Sequence, residues 1–144
     1  MRSLGLDIGG RRIGVAVSDP LGISATPLEV LQDIDPHGLR SYVEEKISQG
    51  VGVVVVGLPL TLRGHEGEQA RKTREFVEAI EDMEGIRVVL WDERLSTVEA
   101  KRRLREAGRP LRGRKVDAEA AAVILQAYLE YSESEYCKGE GNEP

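Results

Sequence analysis

Leu4-Gly-Leu-Asp7-Ile-Gly-Gly-Arg-Arg-Ile-Gly-Val-Ala-Val-Ser-Asp19 holds two short apolar runs, about 3–9 and 12–18, separated by a glycine pair and two arginines. Runs of this length joined by a tight glycine turn read as a β-hairpin. Asp7 lies inside the first run. A carboxylate among apolar neighbours is costly unless something pairs with it. A metal ion, or a metal carried on a phosphate, would do so, and the glycines beside it would let a phosphate approach the backbone closely. The plainer alternative is an Asp satisfied by its own turn, through an Asx-type contact to Gly9 or Gly10.

Working outward, Asp19-Pro-Leu-Gly22 has the residues of a type I turn. A third strand is expected over about 23–31, which makes the opening an antiparallel meander. Pro36 to Gln49 reads as a helix with Leu39, Val43 and Ile47 on one stripe. Val51-Gly-Val-Val-Val-Val-Gly57 is a continuous β-branched run of the kind buried on both faces of a parallel sheet. After a loop at 64–67, a helix over about 68–83 turns Thr73, Phe76, Val77, Ile80 and Met83 inward. Ile86 to Trp91 reads as another buried strand. Ser96-x-x-Glu99 is a capping box that opens a helix to about Ala107. A basic loop follows over 108–115, and Asp117 is placed as the N-cap of a last, Ala-rich helix ending near Tyr131. The order β-β-β-α-β-α-β-α-α predicts an α/β fold with a five-stranded mixed sheet, an antiparallel meander plus two parallel strands, flanked by helices. Residues 1–131 make one domain; 132–144 are expected to be a disordered acidic tail.

Composition limits the function classes. With 40% hydrophobic and 31% charged residues the chain reads as an ordinary globular domain. No run is long enough to span a bilayer, and no leader pattern opens the chain, so a cytoplasmic protein without membrane contact is expected. The single cysteine, Cys137, allows no internal disulfide or thiolate metal site. A net charge of −5 conceals an uneven distribution. Residues 101–115 hold eight of the 20 basic residues (Lys101, Arg102, Arg103, Arg105, Arg109, Arg112, Arg114 and Lys115) against Glu106 alone. That excess suits a polyanion better than a merely solvated helix face with snorkelling arginines. Arg11 and Arg12 extend the basic surface toward Asp7. Aromatic residues are scarce, at 4%, so base stacking is not the main binding mode.

In open α/β sheets the site lies beyond the carboxyl ends of the strands. Asp7, the Asp92-Glu93-Arg94 triplet and Asp117 could all meet there. Asp92 and Glu93 point to opposite faces, so only one is expected as a ligand. Arg94 could hold a phosphate or pair with a neighbour. Asp117 could be a plain helix cap or a cap that also offers an oxygen to a metal. Gly57-Leu-Pro-Leu60 with Thr61, Arg63, Gly64 and Gly67 could present amides to a phosphate, or be an ordinary loop.

Four motifs, in order, resemble the YqgF family, also called RuvX or Holliday-junction-resolvase-like. They are Gly5-Leu-Asp7-x-Gly9-x-x-Arg12-Ile-Gly14-Val-Ala-Val-Ser-Asp19, Val56-Gly-Leu-Pro-Leu60, Trp91-Asp-Glu-Arg-Leu95 and Lys115-x-Asp117-x-x-Ala120-Ala-x-x-Ile124-Leu-Gln126. The resemblance covers about residues 1–131. Arg11 and Ser96 stand where the family often has Lys and Thr, which keeps the chemistry type. The resemblance implies an RNase H-like fold and a nuclease with Asp7, Glu93 and Asp117 as catalytic acids holding Mg²⁺ or Mn²⁺. Arg12, Arg94 and Lys115 would position the strand. The implied substrate is precursor 16S rRNA, with the ribosomal particle as a partner. A DNA four-way junction is the alternative, and would favour a homodimer over a monomer because two strands must be cut. A non-catalytic nucleic-acid-binding module is a further rival. So is an actin-like or sugar-kinase ATPase, which Asp-x-Gly-Gly also suggests but which needs a second domain.

Overall fold

The computed structural model describes the backbone of residues 1–95 and 115–138, with side chains for 1–95 and 117–132. Five strands, β1 (Arg2–Ile8), β2 (Arg12–Ser18), β3 (Ala25–Gln32), β4 (Val51–Leu58) and β5 (Arg87–Asp92), form one sheet in the order β3-β2-β1-β4-β5. The β1–β2 and β2–β3 pairs are antiparallel, while β1–β4 and β4–β5 are parallel. The expected mixed sheet is therefore present, with Asp7's strand at its centre.

Strand alternation divides the interior into two cores. Leu4, Leu6, Ile8, Ile13 and Val15 pack on one face beneath α1 (Pro36–Ser48) and α2 (Glu68–Glu78). Ala16, Val53, Val55 and Trp91 face the opposite way, under α3 (Lys115–Lys138). Residues 3, 5 and 7 of β1 fall on the α3 side by the same period of two. β4 is buried along almost its whole length because helices cover both its faces.

Local chemistry accounts for the element ends. Asp35 caps α1, its Oδ1 accepting from the Gly38 amide at 2.8 Å, and Pro36 opens the helix. The type I turn forms as read: the Gly22 amide donates to the Asp19 carbonyl at 3.0 Å. The Asp19 carboxylate closes the loop by accepting from Ile23 and Ser24. Pro27, which has no amide to donate, sits on the edge strand β3 at a register shift.

Several expectations need correction. α2 ends at Glu78, not 83; the chain then tightens into i→i+3 bonds that still bury Ile80 and Met83. β5 is a half-buried edge strand in which only Trp91 is buried, because it has a strand partner on one side only. The last helix begins at Lys115, so Asp117 lies in its first turn and not at the cap. That helix runs on to Lys138, seven residues into the segment expected to be a tail. The capping box at Ser96, its helix and the basic loop lie outside the described residues. No helix among the described residues is long and apolar enough to cross a membrane.

Candidate active site

Glycines decide how the acids meet. On the α3 face of the sheet, Asp7 pairs in register with Gly14. A Cβ on Gly14 would stand 1.9 Å from the Asp117 carbonyl oxygen. The first turn of α3 thus rests directly on the backbone of β2, beside Asp7. Gly5 has the same role deeper in the sheet, where a Cβ would meet the Leu125 Cβ at 2.8 Å. Gly57 serves the other side: an added Cβ would sit 3.0 Å from Glu93 Oε1 and 2.5 Å from Ile124 Cδ1. β4 lies between β1 and β5. A bare Gly57 is therefore what lets Glu93, at the end of β5, reach across to Asp7.

The three acids have distinct surroundings. Asp7 is half-buried, and burial raises its pKa; the hydrogen bond with Glu93 opposes that rise and the Asp117 charge adds to it. Glu93 is pushed up to about 7, by burial first, then by the charge of Asp7 and the hydrogen bond to it. The bond raises Glu93 and lowers Asp7, so Glu93 carries the proton and donates it to the Asp7 carboxylate. Asp117 Oδ2 instead accepts from Arg12 Nη1 at 3.4 Å.

Asp92 and Glu93 separate as strand parity predicts. The Asp92 carboxylate accepts from the Arg94 guanidinium, at 2.7 Å from Nη2, and from the Arg94 amide at 2.9 Å. This pair holds Asp92 below the ordinary carboxylate range. Arg94 is therefore occupied by its neighbour and also lies over Gly64 and the Leu62 carbonyl. Arg11 turns away from Arg12 to meet Asp33 at 3.0 Å. Lys115 is the first residue of α3, while Lys101, Arg102, Arg105, Arg109, Arg112 and Arg114 lie outside the described residues.

The loop 60–67 is closed on itself. Leu60 bridges to Glu66, the Thr61 amide donates to the His65 carbonyl at 2.9 Å, and Glu66 holds Arg74. Sequence reading missed two residues of α2, Gln69 and Lys72. Gln69 Nε2 donates to the Ile8 carbonyl at 2.7 Å, and the Lys72 ammonium donates to the Gly10 carbonyl. They tie the glycine turn to α2 just beyond Asp7. Polar side chains on an exposed helix flank carry no periodic signal, so only the fold shows what they hold.

Asp7, Glu93 and Asp117 offer only carboxylate oxygens, the donor chemistry of Mg²⁺ or Mn²⁺. Among the described residues, no three Asp, Glu, His or Cys side chains stand ready to enclose an ion. Two acids share a proton and the third is held by Arg12. Their mutual repulsion and burial are what a cation would relieve, so the donor set fits one. Gly9, Gly10, Arg11, Arg12 and Asp117 line an open groove.

Comparison with known proteins shows the family and the fold. Residues 1–131 match the family model described as RuvX, Holliday junction resolvase. A relative from Anaeromyxobacter sp. (strain Fw109-5), named "Putative pre-16S rRNA nuclease", is 50% identical over 134 residues, covering 90% of this chain and 97% of its own. One of the same name from Desulforudis audaxviator is 46% identical, covering 90% and 94%. Among solved structures, Thermus thermophilus RuvC bound to a Holliday junction aligns with a TM-score of 0.63 at 18% identity, covering 92% of this chain and 96% of its own. The fowlpox virus Holliday junction resolvase aligns at 0.54 and 14%, covering 91% and 99%. At such low identity these two structures show the fold alone, an RNase H-like sheet.

Proposed function

The chain belongs to the RuvX family, and from that premise we propose a divalent-metal-dependent phosphodiester hydrolase that matures the 5′ end of precursor 16S rRNA. The observation that carries the chemistry is the convergence of Asp7, Glu93 and Asp117 on one face of the sheet. The rRNA substrate rests on the names of the relatives. Work on the ribosomal particle would place the protein in the cytoplasm.

Asp7, Glu93 and Asp117 would hold Mg²⁺ or Mn²⁺. When bound, such an ion supplies charge neutralisation at the phosphoryl oxygens and a more acidic attacking water. The remaining work belongs to the chain. Gly9 and Gly10 keep the groove floor bare, so a phosphodiester can come close to the backbone. Arg12, half-exposed at the groove, supplies a planar donor fork suited to phosphate oxygens. Glu93, raised to about 7 beside Asp7 in the metal-free chain, would give up its proton when an ion binds. The basic run 101–115 would bind phosphates along the substrate without reading sequence.

Mg²⁺- or Mn²⁺-dependent cleavage, assayed on precursor 16S rRNA ends and on DNA four-way junctions, tests this reading. We expect RNA cleavage that Asp7→Asn lowers by roughly 100-fold or more. Symmetric junction cuts would transfer the function to recombination, the reading that the family's description favours. Absence of Asp7-dependent cleavage of either substrate, free or assembled in the ribosomal particle, would leave a non-catalytic binding module.

A further inference from the structure

Arg11 and Arg12 are adjacent in sequence but have separate fates. Arg11 also lines the groove, but its guanidinium pairs with Asp33. Arg12 opens β2 two residues before Gly14, on the side where α3 rests, and its guanidinium meets Asp117. The same guanidinium lines the groove beside Gly9 and Gly10. One cation therefore touches both an acid of the site and the path a substrate phosphate would take.

We propose that Arg12 is an exchange residue: it neutralises Asp117 in the free protein and moves to a substrate phosphate when a divalent cation takes its place. This rests on the metal-nuclease reading above. Its consequence is coupling. While Arg12 holds Asp117, a metal ion competes with a fixed positive charge. A phosphodiester in the groove draws Arg12 away and frees the carboxylate, so nucleic acid tightens metal binding. Reciprocity requires that metal tighten nucleic-acid binding by the same factor. The pair is suited to exchange: at 3.4 Å with both side chains partly exposed, it holds weakly enough to open. Arg40–Asp82, an exposed arginine–aspartate pair that touches neither the groove nor the three acids, is the internal control.

The test is Mn²⁺ binding to the full chain, read by the paramagnetic resonance signal of free Mn²⁺. It is run with and without a cleavage-resistant phosphorothioate RNA, and the RNA's own Mn²⁺ uptake is subtracted. Wild-type protein is expected to bind Mn²⁺ about fivefold or more tightly when the RNA is present. In Arg12→Gln the ratio should fall toward one, and Mn²⁺ alone should bind more tightly than to wild type. Arg40→Gln should keep the wild-type ratio. Circular dichroism confirms that each variant is folded, and Arg12→Lys, which keeps the charge, should restore part of the ratio. A wild-type ratio of one, or an undiminished ratio in Arg12→Gln, overturns the exchange. Wild-type protein that binds no Mn²⁺ under either condition overturns the metal-nuclease reading itself.

Discussion

Glu93, lifted from its ordinary 4.5 to about 7, binds a proton more tightly in the folded chain than in the unfolded one. Its protonated form thus favours folding at low pH. That contribution is complete below about 4.5 and is lost as pH rises through about 7. The metal-free protein is expected to melt at a lower temperature near pH 8 than near pH 5.5. Glu93→Gln, neutral throughout, should flatten the curve over that interval; thermal melts in chelator decide it. Asp92, held down by Arg94, acts with the opposite sign: its contribution fades as pH falls below its ordinary 3.8, outside the interval. Strand parity alone separated these two neighbours, because alternation is a property of one extended segment. That Glu93 shares its proton with Asp7 was not legible, since the two approach only across a third strand.

At the scale of elements, the close seat of α3 on the sheet governs the site. Gly14→Ala would drive a Cβ into the Asp117 carbonyl, backbone against backbone, so the helix must move. Destabilisation of at least about 1–3 kcal/mol is expected, together with loss of cleavage beyond what the stability change explains. Gly10→Ala meets nothing within 4 Å and should leave stability unchanged. Denaturant melts of both variants check the pair. The glycines stood out in the sequence, but mainly as turn residues and a phosphate approach. That reading suits Gly9 and Gly10. It does not explain Gly14 and Gly57, which lie inside strands and are bare because α3 and Glu93 occupy the space.

The whole molecule is tied together by contacts between distant parts of the chain. Gln126, buried on α3, accepts from the Ala25 amide at 2.9 Å and donates to the Ile23 carbonyl. Gln126→Ala would leave that strand amide unpaired and cost about 1–3 kcal/mol, seen as one cooperative transition at lower denaturant. Trp91 joins β5 to the same helix through edge-on contacts with Tyr128 and Tyr131, at 5.8 and 5.3 Å. Binding of nucleic acid should be steeply salt-dependent despite the net charge of −5. Each lysine or arginine of 101–115 that neutralises a phosphate should, when replaced by glutamine, reduce the slope of log affinity against log salt by about 0.7–0.9. Titrations over a series of salt concentrations measure that slope.

By itself the sequence determined the order of the described elements and that Asp92 and Glu93 point to opposite faces; it left open which of the two meets Asp7, and the structure decided for Glu93. The order and the parity follow from residue periodicity, which acts over a few neighbours. Tertiary structure alone decided that Arg12, 105 positions away, holds Asp117, that Arg94 is occupied by Asp92, and that Gln69 and Lys72 brace the glycine turn. Such pairings depend on sheet register and on how closely a helix can approach a strand. Both are settled only when the whole core packs.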